Sequence, residues 1–322
     1  MTSEFDLIRR HFTWPVRHAD LGGGDDAALF RLAPGKQAAV SSDMLVAGRH
    51  FFPDADPEAL GWKTLAVNIS DLAAMAAQPR WALLSLALPR VDEPWIAAFA
   101  RGLRDCAERF GVDLIGGDTT RGPLTLNVTI IGEVDTGTAV RRDGARDGDM
   151  LWISGQPGRA ALGLWHLRDE LVLPVPARSE CLQALHRPQP RVALGQALRG
   201  LASAMLDVSD GLLGDLGHIL ECSGVGALIE AQRLPLAALE QACGEASTAR
   251  RACLGGGDDY ELLFAAPPAH TEAVLEAARS AGTPVHRIGR ITTAAEGLAL
   301  LQPDGQRQSL AARGFDHFAT DD

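Results

Sequence analysis

Apolar and polar positions along the chain switch repeatedly between a helical and an extended period, and these switches mark out its elements. Phe5 to Phe12 spaces its apolar residues as an amphipathic opening helix does. KQAAVSSDMLV begins with the alternation of a strand, expected to end at Ser41, Ser42 and Asp43. DPEALGWKTLAVNISDLAAMAAQP carries helix-start signals, with Asp56 as N-cap and Pro57 in the first turn, and stops before Pro79. ALLSLALP follows as a buried strand and VDEPWIAAFARGLRDCAERFG as a second helix closed by Gly111. DLIGGDTTRG reads as a short strand ending in a glycine turn, and LTLNVTIIGEV as an alternating strand.

The charged, glycine-rich run RRDGARDGD, Arg141 to Asp149, predicts a boundary between an N-terminal domain of residues 1–140 and a C-terminal domain of residues 141–322. Beyond it, MLWISG reads as a strand, GRAALGLWHLRDEL and RVALGQALRGLA as helices, and SAMLDVSDGLLGDLGHILECSG as strand, loop and helix. VGALIEA is a strand, GGGDDYELLFAAP a turn and strand, PAHTEAVLEAARSAG a helix and VHRIGRIT a strand. Intermingled helices and strands give an α/β (mixed α+β) class.

Composition narrows the function. A near-average apolar share over 322 residues predicts a globular chain with a real core. The net charge of -11 argues against a sequence-independent nucleic-acid binder, because such binding depends on Lys and Arg neutralising phosphates. No apolar run is long enough to span a membrane, and no leader pattern opens the chain, so a cytoplasmic location is expected. The five cysteines lack a C-x-x-C pair, which points to buried thiols and not to a zinc site. Only Lys36 and Lys63 are lysines, neither within G-x-x-x-x-G-K-[ST], which excludes a standard P-loop.

Aspartates carry the candidate chemistry. LGGGDD occurs twice, at Leu21–Asp26 and Leu254–Asp259; adjacent carboxylates repel each other, so a cation is expected beside them. In LAVNISDLAAMAA, Asn68 and Asp71 share one face of an otherwise apolar helix, with Thr64 one turn earlier. A carboxylate there either faces water or holds a metal, and the scarcity of polar positions favours the metal. Asp25, Asp43, Asp118, Asp207, Asp210 and Asp258 recur at expected strand ends and glycine turns. Alone, each is a turn aspartate; together they suit magnesium, which binds through a few carboxylates and keeps its other positions for water and phosphate oxygens. Glycine N–H groups beside them can form anion nests.

GGGDDAAL, SSDMLVAGRHF, KTLAVNISDLAAMAAQP, LIGGDTTRGP, DVSDGLLGDLGHI, GGGDDYELLF and GFDHFAT, in that order, resemble the thiamine-monophosphate kinase family from about Phe5 to Phe318. The resemblance implies a two-domain subunit of the aminoimidazole ribonucleotide synthetase-like fold. Its N-terminal domain would have a mixed sheet with helices, and its C-terminal domain an α/β sandwich. It further implies a homodimer with the N-terminal sheets meeting, and magnesium-assisted phosphoryl transfer from ATP to thiamine monophosphate. Carried over residue by residue, the metal positions are Asp26, Ser41, Ser42, Asp43, Asp71, Asp118, Asp207 and Asp210. Asp43, Asp71, Asp118 and Arg142 would carry the transfer. Gly117, Asp118, Arg142 and Ser209 match nucleotide positions, and His50, Asp258 and Phe315 match substrate positions.

Alone, His50 reads more often as a surface or capped histidine and Phe315 as a packing residue, and it is the match of their segments to the family that favours a substrate role. Two departures from relatives stand out: Ser41-Ser42-Asp43 where S-T-D is common, and Asp258 where GGED is common. A selenophosphate synthetase would need a reactive cysteine near its N-terminus, whereas the first here is Cys106. A hydrogenase-maturation relative would end in cysteine, whereas this chain ends FATDD. A non-catalytic nucleotide- or metal-binding scaffold would keep the GGGDD turns and lose part of the substrate set.

Overall fold

The fold was obtained as a computed structural model that describes residues 4–312 and 314. The chain forms two compact units, one of residues up to Leu72 with Ala77–Ala139, the other of Ala73–Ala76 with residues from Val140 onward.

The first unit runs α1 (Glu4–His11), β1 (Ala19–Leu21), β2 (Leu29–Phe30), β3 (Lys36–Val46), α2 (Pro57–Ala74), β4 (Gln78–Leu88), α3 (Glu93–Phe110), β5 (Asp113–Arg121) and β6 (Thr125–Asp135). Its main sheet has the order β3-β6-β4-β5, antiparallel except for the β4/β5 pair. Asp56 caps α2 by accepting the Ala59 N–H at 2.9 Å. Asp92 caps α3 from Trp95 N, and Gly111 ends it in the left-handed conformation. α2 is apolar nearly all round because it is buried nearly all round, Thr64, Asn68 and Ser70 included. It crosses α3 with the backbones in contact: a Cβ on Gly61 would stand 2.0 Å from Phe99 O, and one on Gly102 1.7 Å from Glu58 O. Two expectations are corrected. β3 does not end at Ser41–Asp43 but continues to Val46, held by an eleven-residue register with β6. Asp118 sits inside β5 opposite Ser85, not in a turn after it.

The second unit contains β7 (Met150–Ser154), α4 (Arg159–Leu167), α5 (Val175–His186), α6 (Val192–Ala197), β8 (Ala204–Val208), α7 (Leu212–Ser223), β9 (Val225–Glu230), α8 (Ala237–Cys243), α9 (Ala246–Gly255), β10 (Glu261–Ala266), α10 (Thr271–Ala281), β11 (Val285–Thr293), β12 (Leu298–Leu301) and β13 (Arg307–Ser309). Its sheet has the order β13-β12-β9-β11-β7-β10-β8, with β12/β9 its parallel pair. Ile153, Leu206 and Leu263 pack one face beneath α4, α7 and α9, while Trp152, Met205 and Phe264 pack the other with α6 and α10. Burial on both faces explains the unbroken apolar runs of MLWIS and ELLFAA.

Candidate functional site

In the first unit the site is built from α2 against β3. Asn68 is fully buried and its amide is spoken for on both sides, donating to Thr64 O at 3.0 Å and accepting the Asp43 N–H at 2.9 Å. It therefore serves as a brace between helix and strand. One turn on, Asp71 Oδ2 accepts the Ser41 hydroxyl at 2.5 Å. Ser41 and Asp43, two residues apart, share the helix-side face of β3 with the buried Ile130 and Val128 of β6 opposite them.

Ser42 points the other way. Its hydroxyl bonds Thr129 Oγ1 at 3.1 Å and Asn127 Nδ2 at 3.2 Å, so it is not brought together with Ser41 and Asp43. In register, Asn127 neighbours Ser85 and Ser85 neighbours Asp118, which puts Asp118 on the same side as Ser42. Gly117 precedes it with φ +148, and a Cβ there would come within 1.8 Å of Leu84 O, so glycine is required for β5 to lie this close to β4. Asp26 lies in the exposed first GGGDD loop, its N–H donating to Asp25 Oδ1 at 2.8 Å. The turn after β3 holds His50, whose Nδ1 accepts the Val46 N–H at 3.0 Å; a neutral His50 thus carries its proton on Nε2.

In the second unit, Asp207 is buried within β8, and Ser209 and Asp210 form the loop leading into α7. Asp215, in the first turn of α7, accepts the N–H groups of both Ser209 and Asp210 through Oδ2 at 3.0 Å each, fixing that loop. Burial pushes the Asp215 carboxyl up to about 7; the Asp210 charge adds to this, while the two N–H donors and the charge of Arg142 oppose it. Arg142 is exposed, and its carbonyl accepts the Ser223 hydroxyl at 2.8 Å. Sequence reasoning missed Asp215, although the signal that singled out Asp71, one acid on an apolar helix, is present in LLGDLGHIL.

The two GGGDD copies differ. The second begins as the end of α9 and continues as an irregular segment tied to the end of β8 and the residue after it, with Asp258 N donating to Ser209 O and Tyr260 N to Val208 O, both at 2.8 Å. Its two acids have parted roles. Asp258 accepts the Tyr260 hydroxyl at 3.0 Å. Asp259 turns inward and accepts the Gly158 N–H, ahead of α4, at 2.7 Å. Burial raises the Asp259 carboxyl well above its ordinary range, against the N–H donors of Gly158 and Ala160. The repulsion between the two acids is eased on the Asp259 side, where desolvation favours the neutral carboxyl.

Because the folded state keeps a proton on Asp259 that the unfolded chain has lost, stability from this group falls as pH rises above its ordinary pKa. Asp259→Asn keeps an acceptor for Gly158 and removes that dependence. In denaturant unfolding at about pH 5 and about pH 8, the variant gains stability relative to wild type at the higher pH; parallel pH profiles would contradict the burial argument.

Among the described residues, no group of three or more His, Cys, Asp or Glu side chains is disposed to hold a metal ion. The predicted carboxylates are spread over two sheet faces and a loop of the first unit, and over β8 and the loop after it in the second. The donor chemistry nevertheless fits magnesium, which takes one or two carboxylates with a hydroxyl, water and phosphate oxygens; Ser41 and Asp71 form such a pair. Phe315 lies outside the described residues.

Residues 24–134 match the AIR synthase related protein N-terminal domain, and residues 146–299 the corresponding C-terminal domain. A curated thiamine-monophosphate kinase of Escherichia coli strain K12 is 44% identical over 98% of both chains. The crystal structure of thiamine-monophosphate kinase from Stenotrophomonas maltophilia K279a is similar at a TM-score of 0.82 and 45% identity, over 90% of this chain and 92% of that one. A structure described as AaThiL complexed with AMPPCP and TMP is similar at 0.77 and 31% identity, over 98% and 96%.

Proposed function

The chain belongs to the thiamine-monophosphate kinase family of AIR synthase related proteins, and from that membership we infer that it transfers the γ-phosphoryl group of ATP to thiamine monophosphate, giving thiamine diphosphate and ADP. The observation that carries this reading is identity of 44% over 98% of the chain to a curated kinase of that activity. The relative complexed with AMPPCP, an ATP analogue, and TMP supports the same pair of substrates.

The acceptor is itself a phosphate monoester, whose second ionisation lies near pH ~6, so it is an adequate nucleophile at neutral pH without a strong general base. What the protein must do is bring two polyanions into line. For this chain we assign Asp26, Ser41, Asp43, Asp71, Asp118, Asp207 and Asp210 as side chains that hold magnesium, which when bound supplies neutralisation of the polyphosphate charge. Ser42 shares with Asp118 the sheet face opposite Ser41 and Asp43, so these two would form a donor group separate from that of Ser41, Asp43 and Asp71. Gly117, Arg142 and Ser209 would position the nucleotide, with Arg142 offering its charge to phosphate. His50 and Asp258 would receive the thiamine ester, whose permanently cationic thiazolium suits a carboxylate and, as the family resemblance suggests, an aromatic ring at Phe315. Residues 1–140 would form the nucleotide- and metal-binding domain, and residues 141–322 would contribute further metal and substrate residues. ATP is available in the cytoplasm, where we place the protein, without a nucleic-acid or membrane partner.

A homodimer is part of the proposal. Val40 and Met44 alternate along the edge strand β3 on the face away from α2, 62% and 55% exposed, an apolar stripe suited to a second copy. Sedimentation velocity should give twice the chain mass for wild type and the chain mass for Val40→Asp; a wild-type monomer would overturn the dimer.

A selenophosphate synthetase-like activity is not favoured, since the first cysteine, Cys106, is buried within α3. The deciding experiment offers purified protein ATP and magnesium with thiamine monophosphate, thiamine, hydroxymethylpyrimidine phosphate or selenide in parallel. Turnover with thiamine monophosphate alone is expected. Turnover with selenide instead, or nucleotide binding without any turnover, would replace the kinase reading.

A further inference from the structure

We propose that Tyr260 is a positioning residue for substrate binding: its hydroxyl sets the direction of the Asp258 carboxylate that meets the thiazolium cation. The inference rests on the kinase reading above and goes beyond it in naming a residue which that reading does not contain. Three observations carry it. The Tyr260 hydroxyl donates to Asp258 Oδ1 at 3.0 Å, fixing one carboxylate oxygen. Both residues adopt left-handed backbone, φ +65 at Asp258 and φ +52 at Tyr260. Aspartate tolerates that region, whereas a bulky aromatic residue does so only where the surroundings impose it. The surroundings here are explicit: Asp258 N and Tyr260 N are tied to Ser209 O and Val208 O, and a Cβ on the preceding Gly257 would come within 2.5 Å of Ser209 O.

The geometry also gives a reason why an aspartate can serve where relatives commonly carry glutamate. A shorter carboxylate reaches less far, and it compensates only if it is already aimed; an oxygen held by a phenol has lost the torsional freedom that binding would otherwise have to remove. Tyr260 is 7% exposed, so its ring is anchored in the unit while the hydroxyl reaches back two residues along the chain. No role in proton transfer is implied.

The test is a double-mutant cycle of Tyr260→Phe and Asp258→Ala, read as KM and kcat for both substrates together with Tm. Tyr260→Phe removes one hydroxyl and keeps the buried ring. It should raise the KM for thiamine monophosphate about tenfold, the scale of one hydrogen bond to a charged group, while leaving kcat, the KM for ATP and Tm close to wild type. In the Asp258→Ala background the same change should do nothing further. Because Tyr260 is the only tyrosine in the chain, ring-fluorinated tyrosine also gives a single fluorine-NMR signal, which should move on adding thiamine monophosphate. An unchanged KM in Tyr260→Phe, an equal effect in both backgrounds, or an Asp258→Ala protein with normal KM would each overturn the proposal. Wild type with no turnover of thiamine monophosphate would instead refute the kinase reading.

Discussion

Asp71→Asn lowers the turnover of thiamine monophosphate by at least ~10³-fold, the scale expected when a group that holds charge-neutralising cations is lost, and it leaves the fold intact. The substitution keeps the side chain's shape. An asparagine Oδ1 can still accept the Ser41 hydroxyl, the contact that Asp71 makes at 2.5 Å. The brace between α2 and β3 is carried by Asn68, not by Asp71, so Ser41 and Asp43 stay in place. What disappears is one negative charge beside two other oxygen donors. Magnesium binds through charge more than through hydrogen bonding, so the half-saturating magnesium concentration should rise along with the fall in kcat. Steady-state phosphoryl transfer across a magnesium series, with unfolding followed on the same preparation, measures both. Wild-type turnover would remove Asp71 from the metal set, and a loss of Tm matching the loss of activity would make it a structural residue.

Much of this arrangement was legible in the residues themselves. Capping chemistry is local, so Asp56 before α2 and Gly111 after α3 were readable at once. Strand extent is not local: β3 runs on past Asp43 because β6 pairs with it to Val46, and a sequence contains no trace of its partner's register. The helices α5, α8 and α9 and the strands β1, β2, β12 and β13 went unread. VPARSECLQALH shows no clean apolar stripe, and α9 absorbs a glycine that elsewhere marks a turn. The repeated LGGGDD makes the same point most directly. One copy is an exposed loop, while the other leaves a helix and holds its second acid, half-buried, on the Gly158 N–H, so six identical residues acquire different structures from their surroundings. Which aspartates meet was likewise beyond the sequence. Ser41 and Ser42 are adjacent in the chain and stand on opposite faces of the strand.

The largest loss of stability is expected from Arg191→Ala. Glu261, the first residue of β10, is 4% exposed, and Arg191 grips it with two bonds, Nε to Oε2 at 2.7 Å and Nη2 to Oε1 at 2.6 Å. Ser154 donates to the same carboxylate at 2.6 Å and Gln156 N at 3.2 Å, while Ser154 in turn accepts the Leu262 N–H. Burial works against the Arg191 charge, and the facing Glu261 carboxylate outweighs it, so the guanidinium is held above its ordinary pKa. Truncating Arg191 leaves the carboxylate buried with neutral donors alone, a change that costs about 3–5 kcal/mol. At about 2–4 °C per kcal/mol, the Tm of the transition that unfolds the second unit falls by on the order of 10 °C. Pairing Arg191→Met with Glu261→Leu removes both charges and should recover most of that loss, because the penalty belongs to the stranded charge and not to the missing bonds. A single variant as stable as wild type would show that Glu261 is reached by water. Since Glu261 follows Tyr260 directly, the same substitution should weaken thiamine monophosphate binding before it affects ATP, linking the anchor of β10 to the segment that carries Asp258.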